Sequence, residues 1–183
     1  MQTESALLVV CPQVERHVGV ERLRLDTAAS DGIPAHLTVI YPFMPEQQMT
    51  PDDHHRLKRV AESQPDFVVR FSRTAWFGQD VLYLTPDDPE PLSLLTREVC
   101  NAFPDHPPYG GRYTELFPHL TIGHKRPLVE LEAAERSVSQ RLPLAEQVDH
   151  LELWAGPAVE GRTEHAPWRR VRDYRLNARL SQS

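Results

Sequence analysis

Pro34-Ala35-His36-Leu37-Thr38-Val39-Ile40-Tyr41-Pro42-Phe43 and, further on, Phe117-Pro118-His119-Leu120-Thr121-Ile122-Gly123 carry one pattern: histidine, leucine, threonine, then a β-branched apolar residue. In an extended strand successive side chains point to opposite faces. Each His and the Thr two places on therefore share one face, while Leu and Val or Ile share the other. Every copy offers an imidazole and a hydroxyl side by side on a strand with an apolar back. With nine histidines in the chain, chance supplies about half a His-x-Thr, and about 0.1 once both variable positions must be apolar. Two copies point to one two-part site.

Outward from the motifs the chain alternates strands and helices. Ala6 to Cys11 is a short continuous apolar run stopped by Pro12, which reads as a buried strand. Val14 to Asp26 is a helix or an irregular segment, and Thr27 to Ala35 a loop into the first motif strand. Pro42 ends that strand, because proline has no N–H for a ladder. Thr50-Pro51-Asp52-Asp53 has the chemistry of a helix start: a capping hydroxyl, a proline in the first turn and two acids at the positive end of the dipole. That helix should run to about Ser63. Phe67, Val69 and Phe71 then alternate with Val68, Arg70 and Ser72, and Val81 to Thr85 is the expected hairpin partner across Gly78. Next come a helix from about Pro89 to Phe103, a Pro/Gly-rich loop from Pro104 to Phe117, the second motif strand and a helix from about Leu128 to Leu142. Strands around Val148 to Trp154 and Trp168 to Leu176 close the chain. Both halves read motif strand, helix, strand, strand, which predicts an α+β fold of two pseudo-symmetric lobes of antiparallel sheet with helices outside. The whole chain, 1–183, is expected to form one bilobal domain.

At 183 residues and 21.0 kDa the chain can bury one sizeable core. A formal charge of -6 and a pI near 5.8 argue against broad binding to nucleic-acid duplexes, which depends on neutralising many phosphates. A small phosphate ester in a locally basic groove remains compatible. Cys11 and Cys100 have neither metal nor redox spacing. No stretch reads as a signal peptide or membrane span, so a cytoplasmic, membrane-free monomer without an obligatory protein partner is expected.

The two motif segments, the chain length and the distance between the motifs together resemble the 2H phosphoesterases, which include bacterial 2′–5′ RNA ligase-like proteins and cyclic nucleotide phosphodiesterases. The resemblance runs roughly from Ala6 to Leu176, as pattern rather than identity outside the motifs. It implies that the lobes pack about a pseudo-twofold axis, bringing both His-Thr faces into one substrate groove. It also implies a 2′,3′-cyclic phosphate or a 2′–5′ phosphodiester, in an RNA end or a small nucleotide, as substrate.

Two histidines facing one phosphate can divide a substitution at phosphorus. One, neutral, takes a proton from the attacking water or hydroxyl; the other, protonated, gives one to the departing ribose oxygen. His36 and His119 are the expected pair, in either order. Thr38 and Thr121 are expected to donate to non-bridging oxygens, with no metal and no cofactor. For substrate binding, strand phase selects Arg70 and Tyr83, with Arg170 and Arg172 sharing one face of the last strand. Tyr41, Phe43, Trp76 and Tyr109 are candidates to stack a base. His124 falls on the face opposite His119 and reads as structural, and His54 and His55 as solvated. Two alternatives stand beside this reading: an RNA-end or nucleotide-binding module with little turnover, and a metal hydrolase, for which no ligand spacing is present.

Overall fold

The computed structural model describes residues 3–111, 117–158 and 167–178. In chain order the strands are β1 (Thr3–Val10), β2 (His36–Ile40), β3 (Phe67–Phe71), β4 (Arg73–Phe77), β5 (Val81–Thr85), β6 (Leu120–His124), β7 (Leu144–Val148), β8 (His150–Pro157) and β9 (Arg169–Arg175). The helices are α1 (Pro12–Leu25), α2 (Thr27–Ser30), α3 (Pro51–Ser63), α4 (Glu90–Ala102) and α5 (Leu128–Ser139). The fold is α+β with antiparallel sheets, as the alternation of elements predicts.

Local chemistry accounts for the helix starts. Thr50 and Asp53 close a reciprocal capping box on α3: the Asp53 N–H donates to Thr50 Oγ1 at 3.3 Å and the Thr50 N–H to Asp53 Oδ2 at 2.9 Å. The segment after Pro12 resolves to a helix, and its first turn is held from far away in sequence. Glu146 of β7 accepts from the N–H groups of Gln13 (2.6 Å) and Val14 (3.2 Å), placing a carboxylate at the positive end of the α1 dipole. α2 is a single turn inside the expected loop.

One sheet has the order β2-β1-β8-β9; a second layer comprises β4-β5-β6 and the pair β3-β7. Only Ser72 separates β3 from β4, so the second layer reads β6-β5-β4/β3-β7, matching the first strand for strand. In each the motif strand is an edge and its inner neighbour runs antiparallel to it, the two joined through helices. Helices α3 and α4 cover the first sheet, and α1 and α5 the second. Leu37 and Val39 of β2, Leu120 and Ile122 of β6, and Leu57, Val99, Val18 and Leu131 of the helices join one apolar core. Each fully buried Leu or Val there contributes roughly 1.5–3 kcal/mol.

Three expectations are corrected. The lobes are not the two sequence halves: β8 and β9 from the chain's end complete the sheet begun by β1, and α1 crosses from that sheet to cover the other. β3 pairs with β7, not β5, because the chain breaks phase at Ser72 and a separate strand, β4, takes the hairpin with β5. The strand read around Val148 to Trp154 is two, β7 and β8, divided at Asp149.

Candidate active site

The two motif strands meet edge to edge: β2, the outer strand of the first sheet, packs against β6, the outer strand of the second. Along β2, Leu37 and Val39 are buried while His36 and Thr38 are half-open; at the second motif Leu120 and Ile122 are buried while His119 and Thr121 are half-open. Both rings are anchored alike. Nδ1 of His36 lies 2.7 Å from the Pro34 carbonyl, and Nδ1 of His119 lies 2.7 Å from the Phe117 carbonyl. A carbonyl only accepts, so Nδ1 carries the proton and donates. In the neutral ring Nε2 is then left bare, as a proton acceptor requires.

Each motif strand bulges just after its threonine. Leu7 and Leu8 of β1 face Ile40 and Thr38, leaving Val39 as the extra residue; Leu82 and Tyr83 of β5 face Gly123 and Thr121, leaving Ile122. Both residues next to the extra position therefore turn toward the helices: a Cβ on Gly123 would meet the Leu131 side chain at 2.5 Å and Leu25 at 3.0 Å. The residue five after each histidine is brought back onto the motif face. Just past β2 this is Tyr41, which packs with Ala6, Leu8 and Trp154 on that face. In β6 it is His124, opposite Val81 and exposed, which corrects the expectation that it points away from His119.

Behind the motifs lies a fully buried arginine that strand reasoning did not reach. Arg22 Nε donates to the Thr121 carbonyl at 3.0 Å, NH1 to Glu15 Oε2 at 3.0 Å and the Ile33 carbonyl at 3.3 Å, and NH2 to Asp26 Oδ2 at 2.7 Å. Glu15 Oε2 also accepts from the Ala35 N–H at 2.6 Å. Burial pushes the His36 pKa down to about 4, and the Arg22 charge adds to this. The Pro34 carbonyl and Asp26 oppose it, and a charge on His119 lowers it further. His119 is also lowered, by burial, with the Phe117 carbonyl opposing. The His119 charge acting on His36 places the two rings within electrostatic reach of each other.

Tyr83 faces Thr121 across the β5–β6 ladder, and its ring lies 5.5 Å from that of His119. Phe77 stacks on Tyr83 at 4.3 Å and meets His119 edge-on at 5.1 Å, a second site residue that the sequence reading missed. Tyr41 packs edge-on against Trp168 at 6.1 Å and donates its hydroxyl to Glu4 Oε2 at 2.6 Å. Other candidates fall elsewhere. Phe43 is a core residue against Phe103 and His106. Trp76 turns to the helices and donates to Glu135 Oε1 of α5 at 2.8 Å. Arg70 is exposed on β3, opposite Ala145 of β7 and apart from the β4-β5-β6 sheet that holds Tyr83. Arg170 and Arg172 do not share a face. A bulge at Val171 sets Arg170 opposite Trp154, on the motif face and 3.6 Å from Glu152, while Arg172 stands opposite Leu153. There its charge lowers the pKa of His54 of α3, after the larger effect of burial. His54 itself is not simply solvated: its Nδ1 lies 2.6 Å from the Tyr174 hydroxyl. The Tyr109 side chain lies outside the described part of the structure. Among the described residues no group of three or more His, Cys, Asp or Glu is placed to hold a metal ion, and no helix is long and apolar enough to cross a membrane.

Comparison with known proteins agrees with this architecture. No curated protein matches the chain. Among solved structures, TT0787 of Thermus thermophilus aligns over 98% of this chain and 100% of its own, at 18% identity and a TM-score of 0.59. E. coli LigT complexed with 3′-AMP aligns over 97% and 99%, at 16% identity and a TM-score of 0.57. At such identities the likeness is one of fold. The family model described as the 2′-5′ RNA ligase superfamily matches residues 11–158, a span that holds both motif strands, Arg22, Phe77 and Tyr83, and the chain therefore belongs to that superfamily.

Proposed function

We propose that this chain is a phosphoesterase of the 2H type that opens, or in reverse closes, a 2′,3′-cyclic phosphate or a 2′–5′ phosphodiester by histidine acid–base chemistry. The observation that carries the reading is the packing of the two motif edges against each other, each with its histidine tied by Nδ1 to a carbonyl, which leaves Nε2 for proton transfer. One imidazole accepts the proton of the attacking oxygen and the other, as imidazolium, protonates the leaving ribose oxygen. A cyclic or 2′–5′ ester suits such a site, because a neighbouring ribose oxygen already stands against phosphorus and no stronger nucleophile is required.

Thr38 and Thr121 donate to the non-bridging oxygens in this scheme. The Phe77–Tyr83 stack beside His119 offers a face to a nucleobase. The fold neighbour LigT has been crystallised with 3′-AMP and with phosphate, ligands of the chemistry proposed here. The test is a panel of 2′,3′-cyclic nucleotides and 2′–5′ dinucleotides with products identified as 2′- or 3′-phosphates. Turnover of at least one, giving a single regioisomer, is expected. Tight binding with no turnover of any would replace the enzyme by a binding module.

A further inference from the structure

The two motifs are alike in sequence, anchoring and bulge, yet one side chain reaches both and treats them differently. Arg22 is wholly buried, and its guanidinium spends its donors on four acceptors. One is the carbonyl of Thr121, inside the second motif. Another is the carbonyl of Ile33, three residues before His36. The remaining two are the carboxylates of Glu15 and Asp26, and Glu15 in turn holds the N–H of Ala35, next to His36. Both motif strands are sheet edges, and an edge strand has one row of backbone groups outside the ladder. A planar five-donor fork fixed to Thr121 on one edge and to Ile33, in the segment leading into the other, ties the two together.

The geometry points to Arg22 as the positioning residue that clamps the two motif strands into one site and makes the two histidines unequal, committing His36 to the base and His119 to the acid. The clamp stands on the hydrogen bonds alone; the acid and base assignment rests on the phosphoesterase reading above. In the opening direction His36 Nε2 takes a proton from water, and the water oxygen bonds to phosphorus. The bond from phosphorus to one ribose oxygen breaks, and that oxygen receives the proton carried by His119 Nε2. The product is a ribose monophosphate, with one water consumed.

The charged groups around His36 come from three places: Arg22 and Glu15 on α1, Asp26 at its end, and His119 across the cleft. The cation disfavours a proton on His36 and the Asp26 anion favours one. Opposite charges therefore predict opposite effects, which a purely structural role does not. Arg22→Lys keeps the charge but loses the fork. Arg22→Gln loses the charge, and Asp26→Asn removes its opponent.

The test follows the His36 ring by NMR titration, its signal assigned by its loss in His36→Gln, together with kinetics on 2′,3′-cyclic AMP across pH. Expected are a higher His36 midpoint in Arg22→Gln and a lower one in Asp26→Asn, with the acid limb of kcat/KM moving likewise. In Arg22→Lys the midpoint should stay near that of the parent, while kcat falls at least tenfold with KM changed less than threefold. Shifts of one sign in Arg22→Gln and Asp26→Asn overturn the charge role, and unchanged kcat in Arg22→Lys overturns the clamp. If Arg22→Gln does not fold, the other two variants still decide: an unmoved or raised midpoint in Asp26→Asn counts against the charge role. An inactive parent enzyme sinks the phosphoesterase reading, while the NMR midpoints continue to judge Arg22.

Discussion

The first motif's histidine feels a buried charge network and the second's stands beside a pair of aromatic rings, although both carry His-Leu-Thr, both tie Nδ1 to a carbonyl two residues back and both bulge after the threonine. Everything shared by the two is set within a few residues of chain. Everything that differs arrives from elsewhere: Arg22, Glu15 and Asp26 from α1 and its end, Phe77 and Tyr83 from the β4–β5 hairpin. A repeated motif thus delivers two equivalent pairs of functional groups, and the unrepeated parts of the chain give them different work. In the acid–base scheme proposed above, that difference favours one placement of the single proton the pair shares.

The largest effects break the comparison outright. His36→Ala and His119→Ala should each lower kcat on a 2′,3′-cyclic nucleotide by about 10²–10⁴ while the protein stays folded, because each removes one proton-transfer partner. Circular dichroism with thermal melts checks the fold. A folded variant of either kind that keeps the parent's rate removes paired-histidine chemistry from consideration.

The pH profile sharpens the same contrast. His36 has its pKa pushed down to about 4, and His119 is lowered from the ordinary histidine value of 6.5. As pH falls through about 4 the base takes up a proton and is lost; as pH rises past a value below 6.5 the acid gives up its own. The kcat/KM profile, which reports the free enzyme, should be a bell centred on the acid side of neutrality, its two limbs belonging to the coupled pair. The kcat profile should lie higher, since a bound phosphate anion favours imidazolium. A kcat/KM profile flat from about pH 5 to 9 would leave the histidines without their assigned parts.

Smaller losses are expected at the threonines. Thr38→Val and Thr121→Val keep the branched Cβ that suits a strand and delete one donor to a charged oxygen, worth about 1.5–3 kcal/mol. Rates should drop by roughly 10–100-fold, with weaker binding of inorganic phosphate by calorimetry. Unchanged rate and affinity in both would reduce the motif to its histidines.

How much of this was legible in the sequence follows the same division. Period-two alternation and the capping chemistry at Thr50 suffice for the motif faces, α3 and the α+β class, because these depend on neighbours in the chain. Alternation fails wherever a bulge or break inserts one residue. It misplaces His124 after Ile122, joins Arg170 to Arg172 across the bulge at Val171, and hides behind Ser72 the fact that Phe77 rather than Trp76 turns to His119. Nothing in local propensity marks a bulge whose extra residue is Val or Ile. Arg22 did leave a trace. It occupies the phase of Val14, Val18 and Leu25 on α1, where an apolar residue is expected, and has an acid four residues on. The exchange of α1 and β8–β9 between sheets left none, being settled by packing of distant segments.

Phe77→Ala tests the aromatic side of the comparison on its own. The ring is 37% exposed, stacks on Tyr83 and stands at right angles to His119, so its open face is available to a base. Base–aromatic stacking is worth about 1–3 kcal/mol, and KM for a purine 2′,3′-cyclic nucleotide should rise about tenfold. KM for a cyclic phosphate that lacks a base should not change. Equal losses on both substrates would assign the ring to the packing of His119 instead.

The smallest effect is expected where a bulge separates two arginines that the alternation of the strand would pair. Arg170 stands opposite Trp154 on the motif face, whereas Arg172 stands opposite Leu153 and acts on His54 of α3. Arg172→Ala should therefore leave kcat and KM within about twofold of the parent, since surface substitutions away from a site usually change little. Its consequence should be local: the Arg172 charge lowers the His54 pKa, so removing it should raise the midpoint of His54 in an NMR titration. A substantial loss of turnover in Arg172→Ala with no change at His54 would put that side chain on the motif face and erase the bulge at Val171 as the device that parts the two arginines.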